Sequence, residues 1–233
     1  PVGAGLFKIT VKVCIVYVYA VAAGERYAEY ALRFVNSYNE NPPAIEHQSI
    51  VVLNGGRQTA EIACLFSSLQ NVTFLERDNS GYDIGGYQEA AQKFPCDLMV
   101  FFGSSTYLKG AGWLLRMLQS FIKHGMGVYG VMANRGDDRF KVRPHLRTTG
   151  FWCPPELMNQ YPHRITNNEQ RYAFEHGSLC FFDWAKAQKL PVLAVSWTNE
   201  YEWKDWDYPN GFFNGDQSGL MCGDRLTELY HTP

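Results

Sequence analysis

The order of apolar runs along the first half of the chain restricts its fold more than any other feature. Val11-Lys12-Val13-Cys14-Ile15-Val16-Tyr17-Val18-Tyr19 is β-branched and almost continuously apolar. A strand of that kind has no face suited to water, so it belongs in the middle of a sheet covered on both sides. We expect a first strand over Ile9–Tyr19, a second over Ser49–Leu53 and a third over Val72–Leu75. Helical patterns separate them. In Glu25–Tyr38 the apolar positions Tyr27, Tyr30, Ala31, Phe34 and Tyr38 recur at steps of three and four, and Thr59–Leu69 forms a second helix. Buried strands alternating with helices predict an α/β fold, Rossmann-like, with a mostly parallel sheet flanked by helices.

A glycine-rich turn then interrupts the alternation. Asp78-Asn79-Ser80-Gly81-Tyr82-Asp83-Ile84-Gly85-Gly86 sets two acids, an amide and three glycines between apolar segments. Glycine permits positive φ and close backbone approach, which suits a bound ligand as well as a tight reversal. A helix is expected from Gly86 to Lys93, and its free N–H groups favour an anion nearby. Asp97–Phe102 reads as another buried strand. It ends in Gly103-Ser104-Ser105-Thr106, at the carboxyl end of a strand, where open α/β sheets collect ligands.

Composition excludes several classes. A hydrophobic content of 46% with 15% aromatics describes a packed globular chain rather than a disordered one. A formal net charge of -2 supplies no basic field, so no nucleic-acid partner is expected. Six cysteines lie far apart without C-x-x-C pairs, which argues against a zinc site or disulfide scaffold and for a reducing, cytoplasmic-type compartment. No uninterrupted apolar run reaches the about 18–20 residues of a spanning helix.

The second half has a different texture. A helix over Trp113–Gly125 and a strand over Gly127–Met132 precede the basic, irregular stretch Asn134–His145. Two helical pieces flank Gly177 within Glu169–Gln188, and Pro191–Trp197 is one more strand. No linker composition divides the chain. We read one domain, residues 1–233, with a nucleotide-binding half over about 8–133 and an acceptor half over about 134–233.

The element order, the turn Asn79-Ser80-Gly81-Tyr82-Asp83-Ile84-Gly85-Gly86 and the strand ending in Gly103-Ser104-Ser105 resemble a GT-A-type glycosyltransferase. More narrowly, the turn is similar to that of bacterial polysaccharide-assembly enzymes related to rhamnan synthesis protein F. The resemblance implies transfer of a sugar from a nucleotide-diphosphate donor to a glycan or glycolipid acceptor. It also implies work in the cytoplasm, with peripheral association at the inner face of a membrane. Asp83, with Asp78, Asn79 and Gly81 of the turn, would lie near the donor. Tyr19 and Asn54 end the first two strands on the same side. Ser104 and Ser105 would stand where the family carries its Asp-x-Asp motif. That motif holds Mg²⁺ or Mn²⁺ between two carboxylates, and hydroxyls are poor substitutes for such a hard cation. The expected dependence on a divalent cation is therefore weak.

Two carboxylates compete for the chemistry. Glu175, in Phe174-Glu175-His176-Gly177, has the spacing of an inverting enzyme's general base, although a helical glutamate is more often a solvated one. Asp216-Gln217, followed by His231, is similar to the Asp-Gln and late histidine of glycogenin-like retaining transferases, where the histidine approaches the diphosphate, and His231 is the candidate metal ligand. The plainer reading makes Asp216 the cap of a helix starting near Ser218. Inversion with Glu175 is favoured, because the central turn matches more closely than the tail. Arg147, beside Thr148 and Thr149, is a candidate phosphate ligand through its paired donors. Trp197, Trp203 and Trp206 read either as a sugar platform or as core.

Overall fold

The computed structural model describes residues 11–136, 138 and 142–231. Ile9 and Thr10, expected to open the first strand, and part of the basic stretch after Asn134 lie outside the described residues. In chain order the elements are β1 (Val13–Ala20), α1 (Glu25–Glu40), β2 (Gln48–Asn54), α2 (Ala60–Leu65), β3 (Val72–Arg77), α3 (Tyr82–Lys93) and β4 (Leu98–Phe102). Next come β5 (Tyr107–Leu108), α4 (Trp113–His124), β6 (Val128–Gly130), β7 (Ala133–Asn134), β8 (His145–Leu146) and β9 (Gly150–Cys153). The remainder comprises α5 (Pro155–Gln160), α6 (Asn168–His176), α7 (Phe181–Ala187), β10 (Val192–Val195), β11 (Glu200–Tyr201), β12 (Cys222–Gly223) and α8 (Thr227–Tyr230).

Eight strands form one sheet in the order β11-β10-β6-β9-β4-β1-β2-β3. β3, β2, β1 and β4 pair in parallel, with Val16 beside Ile50 on one flank and Phe101 on the other. β6 and β10 are also parallel. The short strand β9 is inserted antiparallel between β4 and β6, and β11 closes the far edge antiparallel to β10. The sheet is thus mostly parallel, as expected, with one reversed strand inside it that the apolar pattern did not reveal.

Alternation along β1 loads both faces. Ile15, Tyr17 and Tyr19 belong to one core, with Phe34 and Val35 of α1; Cys14, Val16 and Val18 belong to the other, with Ile84 and Tyr87 of α3. Rings dominate both cores. Tyr17 stacks on Phe34 with centroids 4.0 Å apart, and Phe101 stacks on Phe151 at 4.8 Å. Each such fully buried aromatic contributes roughly 1.5–3 kcal/mol before cavity effects are counted. All six cysteines are free. Among the described residues, no helix is long and apolar enough to cross a membrane.

The central turn differs from expectation in one respect. α3 begins at Tyr82, four residues ahead of Gly86, so Gly85 and Gly86 lie inside the helix. The reversal is already complete at Gly81 and Tyr82, whose φ angles are +70° and +54°. Gly85 is needed for approach rather than for turning, since a Cβ there would fall 2.3 Å from the Ser80 carbonyl oxygen. Arg77, at the end of β3, fastens the turn. It donates to Asn54 Oδ1 at 2.7 Å, to the Ser80 carbonyl at 2.6 Å and to Glu89 at 3.0 Å.

Candidate active site

The carboxyl ends of β1, β2 and β4 open into a cleft of about 400 Å³. Its floor includes Ala20, Asn54, Gly103, Ser104 and Ser105, and one wall is the α3 start with Asn79, Tyr82 and Asp83. A further part of the lining comes from β8 and the loop after it, with His145, Arg147, Thr148 and Thr149. α6 adds Arg171, Tyr172, Glu175 and His176, and the tail adds Asp224 and Arg225. Backbone ties fix the floor: the Tyr17 hydroxyl donates to the Ser104 carbonyl at 2.7 Å, and Thr106 Oγ1 donates to the Thr149 carbonyl at 2.6 Å.

Glu175 is oriented by one of its two oxygens. Oε1 accepts from the Thr148 backbone N–H and from its hydroxyl, each at 3.1 Å, and lies 4.0 Å from Nε2 of His145. No hydrogen bond reaches Oε2 from the described residues. Burial alone would raise the Glu175 pKa, but His145, Arg147 and the two Thr148 donors outweigh it and hold the pKa below the usual carboxylate value. Glu175 is therefore an ionised carboxylate with one oxygen held and one open. His145 Nδ1 lies 2.7 Å from the Arg143 carbonyl, so that nitrogen carries a proton. Burial lowers the His145 pKa, against the pull of Glu175 and the Arg143 carbonyl, and favours the neutral ring.

Asp83 behaves in the opposite way. Its Oδ1 accepts from the Ile84 N–H at 3.1 Å, and Arg171 Nη1 is 3.8 Å away. Burial raises its pKa, with Glu175 adding to the rise and Arg171 opposing it. Two acids in one cleft are thus pushed apart, Glu175 towards the anion and Asp83 towards the neutral acid.

Seven of the residues singled out from sequence line the cleft together: Asn54, Asn79, Asp83, Ser104, Ser105, Arg147 and Glu175. The others stand elsewhere. Tyr19 packs against Phe66 in the core, with centroids 5.8 Å apart. Asp78 is exposed and holds the Ser80 hydroxyl at 2.6 Å and its N–H at 3.0 Å. Gly81 backs onto Ile165 behind the turn. Asp216 is exposed and accepts from the Ser218 N–H at 2.9 Å in a turn rather than at a helix start, while Gln217 is buried and donates to the Phe212 and Thr227 carbonyls. His231 is exposed, and the Asp216 pKa is held low mainly by the Ser218 donors, with Lys109 adding to the effect. Of the tryptophans, Trp206 is core, Trp197 donates to the Leu220 carbonyl, and Trp203 is exposed outside the cleft.

The donor set offers a divalent cation little. The β4 end presents the hydroxyls of Ser104 and Ser105, and the described residues contain no group of three His, Cys, Asp or Glu side chains arranged to hold a metal. Asp224 is already fully engaged by Arg147, Thr149 and two backbone N–H groups. Hard cations need several oxygen ligands at short range, and these residues do not fit that requirement.

Sequence reasoning missed Arg171 and Asp224. Arg171 and Glu175 are four residues apart on α6, and so are Tyr172 and His176, so the two pairs occupy adjoining stripes of one helix. A charged pair at that spacing beside a second pair of ring residues is a readable signal. Asp224 follows Cys222-Gly223 without any pattern around it.

No protein-family model matches this chain, and no curated protein matches it. Solved structures do. Mouse xyloside xylosyltransferase 1, in its apo form, superposes with a TM-score of 0.50 over 80% of this chain and 85% of its own, at 8% identity. TarS from S. aureus gives a TM-score of 0.48 at 17% identity, covering 69% of this chain and 53% of the TarS chain. HddC from Yersinia pseudotuberculosis gives 0.45 at 12% identity over 68% of this chain and 83% of its own. The chain therefore spans about half the length of the TarS chain it matches. The likeness to the xylosyltransferase is one of fold: a GT-A-like α/β arrangement with a mostly parallel sheet flanked by helices.

Proposed function

We propose that this chain is a glycosyltransferase that moves a sugar from a nucleotide-diphosphate donor to a hydroxyl of a glycan or glycolipid acceptor. The observation that carries the reading is Glu175: an ionised carboxylate, oriented by Thr148, in a cleft at the carboxyl ends of the parallel strands. A fold shared with a xylosyltransferase supports it. The narrower likeness to rhamnan-type polysaccharide assembly rests on the central turn and favours a hexosyl or deoxyhexosyl donor. It also favours a cytoplasmic site of action beside a membrane that carries the acceptor.

In the proposed reaction the open oxygen of Glu175 accepts the proton of the acceptor hydroxyl. The acceptor oxygen attacks the anomeric carbon from the face opposite the diphosphate. As the new C–O bond forms, the bond to the diphosphate oxygen breaks and its electron pair leaves with the nucleotide, which inverts the anomeric configuration. A depressed pKa keeps Glu175 ready as an acceptor at neutral pH, although it weakens the driving force for taking the proton. Asp216 is the runner-up, for a retaining reaction, but it does not line the cleft.

The test compares Glu175→Gln and Asp216→Asn in transfer assays and reads the product's anomeric configuration by NMR. Glu175→Gln should lose roughly 10²–10⁴-fold in rate while still binding donor, Asp216→Asn should stay near the parent, and the product should be inverted. A retained product with Glu175→Gln near full rate would transfer the role to Asp216. Donor binding without turnover on any acceptor would instead make the chain a nucleotide-sugar or carbohydrate-binding module.

A further inference from the structure

Three arginines with extensive contacts can be compared by what their donors do. Arg77 and Arg116 are committed to the protein. Arg77 serves Asn54, Ser80 and Glu89, and Arg116 serves the Ser196, Trp197 and Asn199 carbonyls and Glu200. Arg171, which lines the cleft, is different. Its guanidinium lies 4.5 Å from the Tyr172 ring centroid and 5.3 Å from that of Tyr82. Its nearest carboxylate oxygen, on Asp83, is 3.8 Å away, beyond hydrogen-bond range. Its Nε is buried without a partner, and none of its guanidinium N–H groups makes a hydrogen bond to the described residues.

Arg147, elsewhere in the cleft lining, repeats the pattern. Among the described residues its guanidinium makes one hydrogen bond, from Nη2 to Asp224; its Nε is likewise buried and unpartnered, and the guanidinium sits 4.9 Å from the Phe212 ring centroid. Aromatic rings hold both forks in place without using their donors. Unpaired buried donors are costly, and a planar fork of N–H groups matches phosphate oxygens in pairs. The same cleft is lined by the β4 end, with the Ser104 and Ser105 hydroxyls where the resemblance would put a metal's carboxylates.

We propose that Arg171 and Arg147, with the Ser104 and Ser105 hydroxyls, bind the donor's diphosphate directly and take the place of a bridging divalent cation. The assignment rests on the glycosyl-transfer reading for the identity of the ligand. Arg171 supplies the guanidinium with the more available donors, since its nearest carboxylate, Asp83, stays beyond hydrogen-bond range while Arg147 is hydrogen-bonded to Asp224. Its ring contacts keep the guanidinium aimed in the absence of ligand, which reduces the ordering cost of binding.

The experiment titrates inorganic pyrophosphate and then UDP into the full chain by calorimetry, once in EDTA and once in Mn²⁺ or Mg²⁺. It uses the parent, Arg171→Gln and Arg171→Lys, with circular dichroism to establish folding. Binding in EDTA, weakened roughly 10- to 100-fold by Arg171→Gln and partly recovered in Arg171→Lys, is the expected result. Arg147→Lys, which keeps the charge facing Asp224, tests the second fork and should weaken binding without unfolding the chain. Binding that requires the metal, or that is equal in the parent and Arg171→Gln, would overturn the arginine assignment and leave the glycosyl-transfer reading standing. A folded parent that binds neither probe in either condition would overturn both.

Discussion

Arg147 Nη2 lies 2.7 Å from Oδ2 of Asp224, and the aspartate is wholly enclosed. The same oxygen accepts from the Thr149 hydroxyl at 2.7 Å, and Oδ1 accepts the N–H groups of Leu226 and Thr227 at 2.8 Å and 3.0 Å. One carboxylate thereby ties the cleft lining to the turn that leads into α8. Asp224→Asn keeps the shape but removes the charge facing a buried guanidinium. Breaking one side of such a pair costs about 3–5 kcal/mol. Urea unfolding of Asp224→Asn should show that loss, and an unchanged midpoint would mean that Arg147 finds another partner.

Gly81 and Gly112 share a left-handed backbone but not their surroundings. At Gly81, φ is +70° and a Cβ would fall 2.1 Å from the Ile165 carbonyl oxygen; at Gly112, φ is +78° and nothing lies within 4 Å. Gly112→Ala should therefore lose only the conformational part, about 1–2 kcal/mol. Gly81→Ala adds a backbone collision and should lose clearly more, read as the difference between the two unfolding midpoints. Equal losses would mean that the Ile165 segment moves aside freely.

The pattern of these positions explains what the sequence disclosed. β1, β2 and β4 are legible because strands covered on both faces must be apolar throughout, and Val13–Tyr19 and Leu98–Phe102 meet that demand. β9 is not legible, because its four residues run antiparallel between β4 and β6, and neither direction nor neighbour is written in a run of Gly150-Phe151-Trp152-Cys153. The turn from Asp78 to Gly86 announced a ligand site through its glycines, yet Gly81 and Gly85 serve packing against Ile165 and Ser80. Glu175 came from its spacing, whereas its orientation depends on Thr148 and His145, which only the fold brings near. Asp224 needed tertiary structure, since an aspartate acquires meaning from the arginine it meets.

Acid should weaken a second ionic centre away from the cleft. Glu200 takes Arg116 at 3.2 Å, Lys123 at 2.6 Å and His124 at 2.7 Å, joining α4 to β11 at the sheet's edge. Burial raises its pKa, but the hydrogen bonds from Lys123, His124 and Arg116 overcome that and bring it down to about 2 from 4.5. A folded-state pKa below the unfolded one gives stability that is fully present above about 4.5 and is lost as pH falls towards 2. The parent should lose stability across that window, and Glu200→Gln should show a shallower slope there. Parallel profiles would assign the acid sensitivity to the other depressed carboxylates, Glu175 and Asp224 among them.

Asp83 gives the sharpest division between the sugar and the diphosphate. Its carboxyl lies at the start of α3 in the cleft wall, 3.8 Å from Arg171 Nη1. If the acid receives the donor's sugar hydroxyls, Asp83→Asn should weaken binding of an intact nucleotide sugar. The free diphosphate has no sugar to lose and sits by Arg171, which the substitution relieves of a competing carboxylate. Its affinity should hold or rise. A hydrogen bond to a charged group contributes about 1.5–3 kcal/mol, so the sugar-dependent loss should be roughly 10- to 100-fold. Calorimetry with a nucleotide sugar and with the matching nucleoside diphosphate measures both on one protein. Equal weakening of the two ligands would place Asp83 beside the phosphates, and no change in either would remove it from the site.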